Sequence, residues 1–192
     1  MTAGTGIPAP ASATTSTWTI DPAHTGVEFS VKHMMFTTVR GRFKDVKGTI
    51  TVDEQNPDNS RVDVEIGAAS IDTGASDRDA HLRSADFLDV EKHPTITFRS
   101  KRVEGAVKKE GDRFTLTGDL TIRDKSIEVV LDCEYGGTGK DPWGGTRAGA
   151  SAAGKIDRRQ WGLQWNQALE TGGILVGNDV RIELEVQAVL QK

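Results

Sequence analysis

Residues 180–188 have the sequence VRIELEVQA, in which apolar and polar side chains alternate without a break. Successive side chains of a β-strand point to opposite faces, so this period of two predicts a strand with one apolar and one polar face. The same alternation recurs at residues 27–32, 39–52, 62–66 and 95–101. The sequence therefore predicts a protein built mainly of half-buried strands.

Short polar segments such as residues 56–58 and 124–125 separate these strands and are typical turn sequences. About eight strands joined mostly by hairpins predict an all-β, antiparallel fold. Because each strand has one apolar face, the sheet must pack against a second sheet or close on itself. We favour a closed barrel, because glycines within strands permit strong coiling. These glycines are Gly41, Gly48, Gly118, Gly149 and Gly154.

Residues 147–156 are unusual because nearly all of them are glycine, alanine or serine. A strand with so little side-chain volume marks either a corner in a barrel wall or the close approach of something else, such as a ligand. We favour a cavity beside this strand, within a barrel that has room for side chains or for one ligand. The candidate cavity lining is Phe29, Phe98, Phe114, Leu116, Val129, Leu131, Ala150, Ala152, Ile182 and Leu184.

Residues 76–94 form the one long stretch that does not alternate like a strand. Asp77 and Asp79 suit the first turn of a short helix, where acids are favoured by the exposed amides. Arg78 and His81 lie three residues apart and so share one helix face. Two interpretations stay open: a solvated helical crossover with local ion pairs, or a functional site at the mouth of the barrel.

His33, Met34, Met35 and Phe36 interrupt the alternation between two strands. This segment predicts either a short helical turn or an apolar plug over one end of the fold. The two methionines suit the second interpretation because their flexible side chains adapt to irregular gaps.

Composition excludes several function classes. The net charge is −4, with acids and bases interspersed, so no overall basic field attracts nucleic acid or an anionic membrane. Cys133 is the only cysteine, which excludes an intramolecular disulfide and a cysteine-rich metal site. The four histidines lack the close spacing of metal ligands, and no nucleophile elbow or phosphate-binding loop is present. We therefore predict no metal, no cofactor and no catalytic residue.

Residues 1–17 contain no charged side chain and no apolar block. A secretory signal needs a basic start and an apolar core, and no run in the chain is long enough to span a bilayer. We therefore expect a disordered leader at residues 1–17, one domain at residues 18–192, no integral membrane segment and a cytoplasmic location.

A series of short motifs follows in a fixed order along the chain. They are W-x-I-D-P-x-H at 18–24, V-x-G-x-F at 39–43, R-D-x-H-L-x-S-x-D-F at 78–87, G-x-L-T-I at 118–122, D-P-x-x-G-x-R at 141–147, I-x-R-x-x-x-G at 156–162 and V-G-N-x-V at 176–180. Together they resemble the YceI-like family of polyisoprenoid-binding proteins.

The resemblance implies an antiparallel eight-stranded barrel similar to lipocalins. Such a barrel holds a long isoprenoid chain, for example a polyprenyl diphosphate or a quinone tail, and performs no catalysis. The expected function is therefore non-enzymatic binding, transport or storage of an isoprenoid lipid. The resemblance is compatible with a homodimer, although no segment of the sequence demands one.

The head group of such a ligand is expected near residues 76–94. Arg78 is the first candidate because its planar guanidinium matches the geometry of a diphosphate. His81 and His24 are the next candidates, followed by His33 and Arg158.

Three alternatives stay open at this point. Arg78, Asp79 and His81 can instead pin the insert to the barrel through buried ion pairs. An enzyme acting on a small apolar or quinone-like substrate would use His81 with Asp77 or Asp79 as an acid-base pair. An interaction module recognised through its surface is the third alternative.

Overall fold

The structure is a computed structural model that describes residues 15–170 and 172–192. The strands are Thr15–Ile20 (β1), Gly26–His33 (β2), Thr37–Phe43 (β3), Val46–Asp53 (β4), Arg61–Gly67 (β5), Ile71–Asp72 (β6), Thr95–Glu104 (β7), Arg113–Ile122 (β8), Lys125–Lys140 (β9), Thr146–Asp157 (β10) and Val176–Leu190 (β11). The α-helix is Ser76–Arg83 (α1), and single 3-10 turns lie at Pro22–His24, Pro57–Asn59, Ala68–Ser70 and Arg158–Trp161.

The expected leader falls mostly on residues 1–14, which lie outside the described residues. Thr15 to Thr17 belong to β1, where Thr15 pairs with Asp53 and Thr17 with Thr51 of β4. The first strand therefore begins before the domain start that was predicted at Trp18.

The strand segments form one closed antiparallel barrel. β1 and β2 both pair with β11, so they are two parts of one strand that kinks at residues 21–25. β3 pairs with β2 and β4 pairs with β1, so β3 and β4 are likewise two parts of one strand. β6 pairs with β3 and β5 pairs with β4, so β5 and β6 form the next strand. The eleven segments thus make eight strands, each paired with its neighbours in sequence, and β11 closes the barrel against β1 and β2. The predicted eight-stranded barrel with a short helical insert is confirmed.

The connections fall at two ends of this barrel. The turns between β4 and β5, β7 and β8, and β9 and β10 lie at one end, which we call the hairpin end. The opposite end carries residues 34–36 between β2 and β3, residues 73–94 with α1, and residues 158–175 between β10 and β11. We call it the insert end, because it carries the helical insert.

Residues 34–36 do not form the predicted helical turn or a plug. His33 pairs with Thr37 across the hairpin, and the Phe36 amide donates to the His33 carbonyl at 3.3 Å. This short connection leaves no length for a turn of helix. The side chains of Met34, Met35 and Phe36 project outward and are exposed.

Apolar side chains from the inward face of the strands form one core. Its buried members include Val27, Val46, Ile66, Phe98, Leu116, Leu120, Ile122, Leu131 and Cys133. Trp161, which follows β10, is 1% exposed and donates its indole N–H to the Leu120 carbonyl at 3.0 Å. Trp161 therefore closes the core at the insert end as a packing residue.

Candidate functional site: the barrel interior and its insert end

The interior of the barrel has two unlike walls. On the wall made by β7, β8 and β9, which we call the packed wall, most inward side chains are almost fully buried, although Phe114 and Val129 are half-buried. Phe98 is 7% exposed, Leu116 7% and Leu131 5%. Protein side chains therefore fill the space beside this wall.

On the wall made by β10, β11 and β2, which we call the accessible wall, several large inward side chains are only half-buried. Phe29, Ile182 and Leu184 pack against the core cluster, yet each keeps accessible surface. All three lie in the middle of their strands, so this surface faces the interior and not an end of the barrel. Space beside the accessible wall is therefore left unfilled by side chains.

The small residues of β10 create this difference. Ala152 pairs with Leu184 on one side and with Cys133 on the other, and Ala150 pairs with Val186 and Tyr135. Their methyl groups leave room where larger strand residues would fill it. Gly154 is the next inward residue of β10, and here Leu131 of the packed wall fills the space. A Cβ on Gly154 would lie 2.7 Å from Leu131 Cδ2.

The candidate lining residues all come from the inward face of the strands. Phe98, Leu116 and Leu131 are buried in the core. The others are half-buried, namely Phe29, Phe114, Val129, Ala150, Ala152, Ile182 and Leu184.

The same small-residue strand also shapes the outer surface. A groove of about 730 Å³ runs across the outside of β2, β11, β10, β9 and β8, with Ser151 and Ala153 in its floor. Its lining also includes Phe114, Cys133, Ala152 and Leu184 of the inward-facing set. Its rim is acidic and comprises Glu28, Glu104, Asp132, Glu134, Glu183 and Glu185.

Arg78 and Asp79 at the insert end both bind Thr73. Asp79 is 7% exposed and accepts hydrogen bonds from the Thr73 amide at 2.9 Å and the Thr73 hydroxyl at 2.5 Å. Arg78 donates through Nε to the same hydroxyl at 2.7 Å and through Nη2 to the Thr73 carbonyl at 2.9 Å. These contacts pin α1 to the end of β6. The sequence predicted that buried ion pairs pin the insert to the barrel. The structure shows hydrogen bonds between Thr73 and both side chains in their place.

His81 takes part in a different cluster. Its Nε2 lies 2.8 Å from Asp86 Oδ2, and its ring meets Trp165 and Phe87 edge to face at centroid distances of 4.6 and 5.1 Å. The predicted acid-base pair of His81 with Asp77 or Asp79 is therefore wrong. The chain bends after α1 so that Asp86 reaches the imidazole. The Asp79 carboxylate accepts hydrogen bonds from Thr73 instead.

Arg158 is the most deeply buried of the head-group candidates, at 4% exposure. It donates to the carbonyl oxygens of Gly177 at 2.9 Å, Val176 at 3.4 Å and Leu163. Neighbouring Asp157 pairs instead with Arg159, at 2.6 Å. Burial lowers the pKa of the Arg158 guanidinium. The structure thus places a cation with carbonyl acceptors at the insert end of an apolar interior.

His33 joins Arg158, whereas His24 lies elsewhere. His33 pairs in register with Val176, whose carbonyl Arg158 also contacts. His24 is exposed at the kink between β1 and β2, where its Nδ1 lies 2.9 Å from Asp21 Oδ2. Four of the five head-group candidates therefore gather at the insert end, and His24 does not.

A charge network near His24 was missed by the sequence reasoning. Arg147 of β10 contacts Asp21 at 2.5 Å and Asp141 of the β9–β10 turn at 2.8 Å. The hydrogen bond from Arg147, with a smaller contribution from His24, lowers the pKa of Asp21 to about 2. The signal was available, because all three charged residues belong to motifs that carry the family resemblance.

Within the described ranges, no three His, Cys, Asp or Glu side chains lie close enough together to hold a metal ion. Among the helices of the described chain, none has the length and apolar character needed to cross a membrane.

A family model described as the YceI-like domain matches residues 18–188. The protein YceI of Escherichia coli O157:H7 is 44% identical over 141 residues, which cover 73% of this chain and 72% of that protein.

Solved structures show the same fold. BcnA of Burkholderia cenocepacia superposes with a TM-score of 0.74 at 21% identity, covering 88% of this chain and 98% of that chain. A domain from Saccharophagus degradans, described as polyisoprenoid binding, superposes with a TM-score of 0.67 at 11% identity, covering 94% of this chain and 100% of that one.

Proposed function

The chain belongs to the YceI-like domain family, and from this premise we propose that it binds one long isoprenoid lipid in the barrel interior as a carrier or store. The observation that carries the proposal is the accessible surface of Phe29, Ile182 and Leu184 in the middle of the barrel. An isoprenoid chain would cover this apolar surface. Each methylene that it buries contributes about 0.8 kcal/mol before the costs of association.

The head group of the ligand lies at the insert end in this proposal. Arg158 and His33 are the best placed candidates, because both lie beside Val176 at the end of the interior. The buried Arg158 guanidinium donates to carbonyl oxygens. A diphosphate would give this cation an anionic partner. Arg78 is a weaker candidate, because its side chain is exposed to solvent and pins α1 to Thr73.

The first experiment is native mass spectrometry of protein purified without detergent, followed by extraction of the bound molecule. The expected result is one long-chain isoprenoid per chain. A protein that is empty, and that also takes up no added polyprenyl lipid, would contradict the proposal.

A matched pair of variants locates the lipid. Ala152 faces inward beside Leu184, and its neighbour Ala153 faces outward into the groove. We expect Ala152→Leu to fill the interior and weaken polyprenol uptake by about tenfold or more, which corresponds to about 1.4 kcal/mol. Ala153→Leu is expected to leave uptake unchanged. Loss of uptake in Ala153→Leu alone would place the ligand in the outer groove.

A second comparison tests the head group. A polyprenyl diphosphate is expected to bind more tightly than the uncharged polyprenol of the same length, and added salt should narrow the difference. Arg78→Ala is expected to lower the Tm without changing either affinity, because it removes the hydrogen bonds to Thr73. Equal affinity for the two lipids would remove Arg158 from head-group recognition while leaving the lipid-binding interior in place.

A further inference from the structure

The hairpin tip between β2 and β3 exposes three consecutive apolar side chains. Met34 is 37% exposed, Met35 58% and Phe36 71%. Folding buries large apolar residues where it can, and a continuous exposed group of them marks an interaction surface. We call these three residues the apolar tip.

The backbone of the apolar tip is also unfavourable for these residues. Met34 has a φ of 50° and Met35 a φ of 70°. Two successive positive φ values are typical of tight hairpin turns in which asparagine and glycine are strongly preferred. Two methionines at these positions cost stability, both in backbone conformation and in exposed apolar surface. Such a cost at both positions points to a role outside the folded core.

The tip is held in place and does not fold back onto the barrel. The Met34 amide donates to the Leu175 carbonyl at 2.8 Å, and the Thr37 hydroxyl donates to the His33 carbonyl at 3.1 Å. Gly173 lies against Met35, since a Cβ on that glycine would come within 3.3 Å of Met35 Cγ. The backbone is fixed on both sides, so the flexible side chains are presented outward.

Cations flank the apolar tip on the outer face of the hairpin. Lys32 and Arg40 are exposed there, and they pair in register with Thr38 and Ser30. Long basic side chains beside apolar ones can reach the phosphates of lipid head groups while the apolar ones enter the layer below. The chain as a whole carries a net charge of −4, so the attraction between these two cations and lipid phosphates acts only at short range.

We propose that the apolar tip, Met34–Met35–Phe36, docks the barrel onto a phospholipid surface. A projecting tip with two methionines and one phenylalanine fits a deformable apolar layer, and Lys32 and Arg40 match the phosphates above it. The docking brings the insert end of the barrel to the membrane. This inference goes beyond the proposed function, because the tip binds the surface whether or not the interior holds a lipid.

The test measures cosedimentation of the full chain with phosphatidylcholine vesicles, with and without added phosphatidylglycerol. The main variant combines Met34→Asn, Met35→Gly and Phe36→Ser, which removes the apolar side chains and supplies residues that favour the same turn. We expect this variant to keep or raise the Tm and to bind vesicles at least about tenfold more weakly. Phosphatidylglycerol should strengthen binding of the parent protein.

Trp143 provides the matched control. It is 85% exposed at the hairpin end, so it offers comparable apolar surface at the opposite end of the barrel. Trp143→Ser is expected to bind vesicles like the parent. Loss of binding in Trp143→Ser, with binding kept in the tip variant, would overturn the proposal and assign docking to the hairpin end.

A labelled variant gives a direct signal. Cys133 is buried, and burial raises the pKa of its thiol to about 11, so a polarity-sensitive dye would label Met35→Cys selectively. Its emission should shift to the blue on adding vesicles. An unchanged emission, or a parent protein that forms tip-dependent dimers and ignores vesicles, would overturn the proposal. Isoprenoid uptake measured in the same samples without vesicles reports separately on the proposed function.

Discussion

The packed wall and the accessible wall of the barrel follow the same alternating pattern but differ in side-chain volume. β8 and β9 place leucine and isoleucine on the inward face, whereas β10 places alanine and glycine there. Alternation therefore decides which face of a strand turns inward. The volume of the inward residues decides whether the interior is closed by side chains or left accessible.

The largest expected difference between the walls comes from the same truncation made on each. Leu131→Ala should cost about 2–5 kcal/mol of unfolding free energy, because its buried side chain leaves a cavity in the packed wall. Leu184→Ala should cost about 1–2 kcal/mol, because its side chain is only half-buried. Urea unfolding of both variants measures the difference. Equal losses would show that the two walls are packed alike.

A smaller effect is expected from adding one methyl group at two glycines of β10. Gly154→Ala should destabilise the protein by about 1–3 kcal/mol, since its Cβ would lie 2.7 Å from Leu131 Cδ2. At Gly149 the nearest atom is the Val186 carbonyl oxygen at 3.9 Å, so Gly149→Ala should be neutral or slightly stabilising. Thermal unfolding of the pair checks this, and a Gly154→Ala variant as stable as the parent would mean that the small-residue strand is open at both positions.

The smallest expected effect concerns the charge network that ties the accessible wall to β1 and β2. Asp21 has a pKa of about 2, lowered from 3.8, so its contribution is complete above the unfolded value and is lost as pH falls from about 4 towards 2. Asp21→Asn should lower stability at neutral pH by about 1 kcal/mol, after allowance for solvent screening. The gap between variant and parent should close near pH 2. A gap that persists unchanged in acid would show that Asp21 acts through its neutral hydrogen bonds.

The fold was predictable because alternation and turn sequences are local signals. The lining residues share the inward face of their strands for the same reason: a period of two fixes which side a residue takes. The kinks that divide single strands, such as the one at residues 21–25, have a weaker signal in the sequence.

The contacts at the insert end could not be predicted from the sequence. Their partners are either far apart in the chain or belong to no recognisable motif. Thr73 carries no motif signal, yet Arg78 and Asp79 both bind it. His81 was expected to pair with a carboxylate on its own helix, and the bend after α1 brings Asp86 to it instead. The carbonyls that receive Arg158 belong to Leu163, Val176 and Gly177, which only the closed barrel brings around it.

The order in which the barrel strands pair has a consequence for folding. Every neighbouring pair from β2–β3 to β10–β11 joins barrel strands that are consecutive in the chain, whereas the closing ladder joins β11 to β1 and β2 across most of its length. Closing so long a loop is entropically costly, so we expect this ladder to form last and to set the folding rate. Thr15 and Leu190 lie at this seam, close to the Trp18–Leu190 pair. A circular permutant that joins them and opens the Pro57–Asn59 turn turns the β11–β1 ladder into a hairpin and leaves β4 and β5 at opposite ends of the chain, so the β4–β5 ladder should then form last.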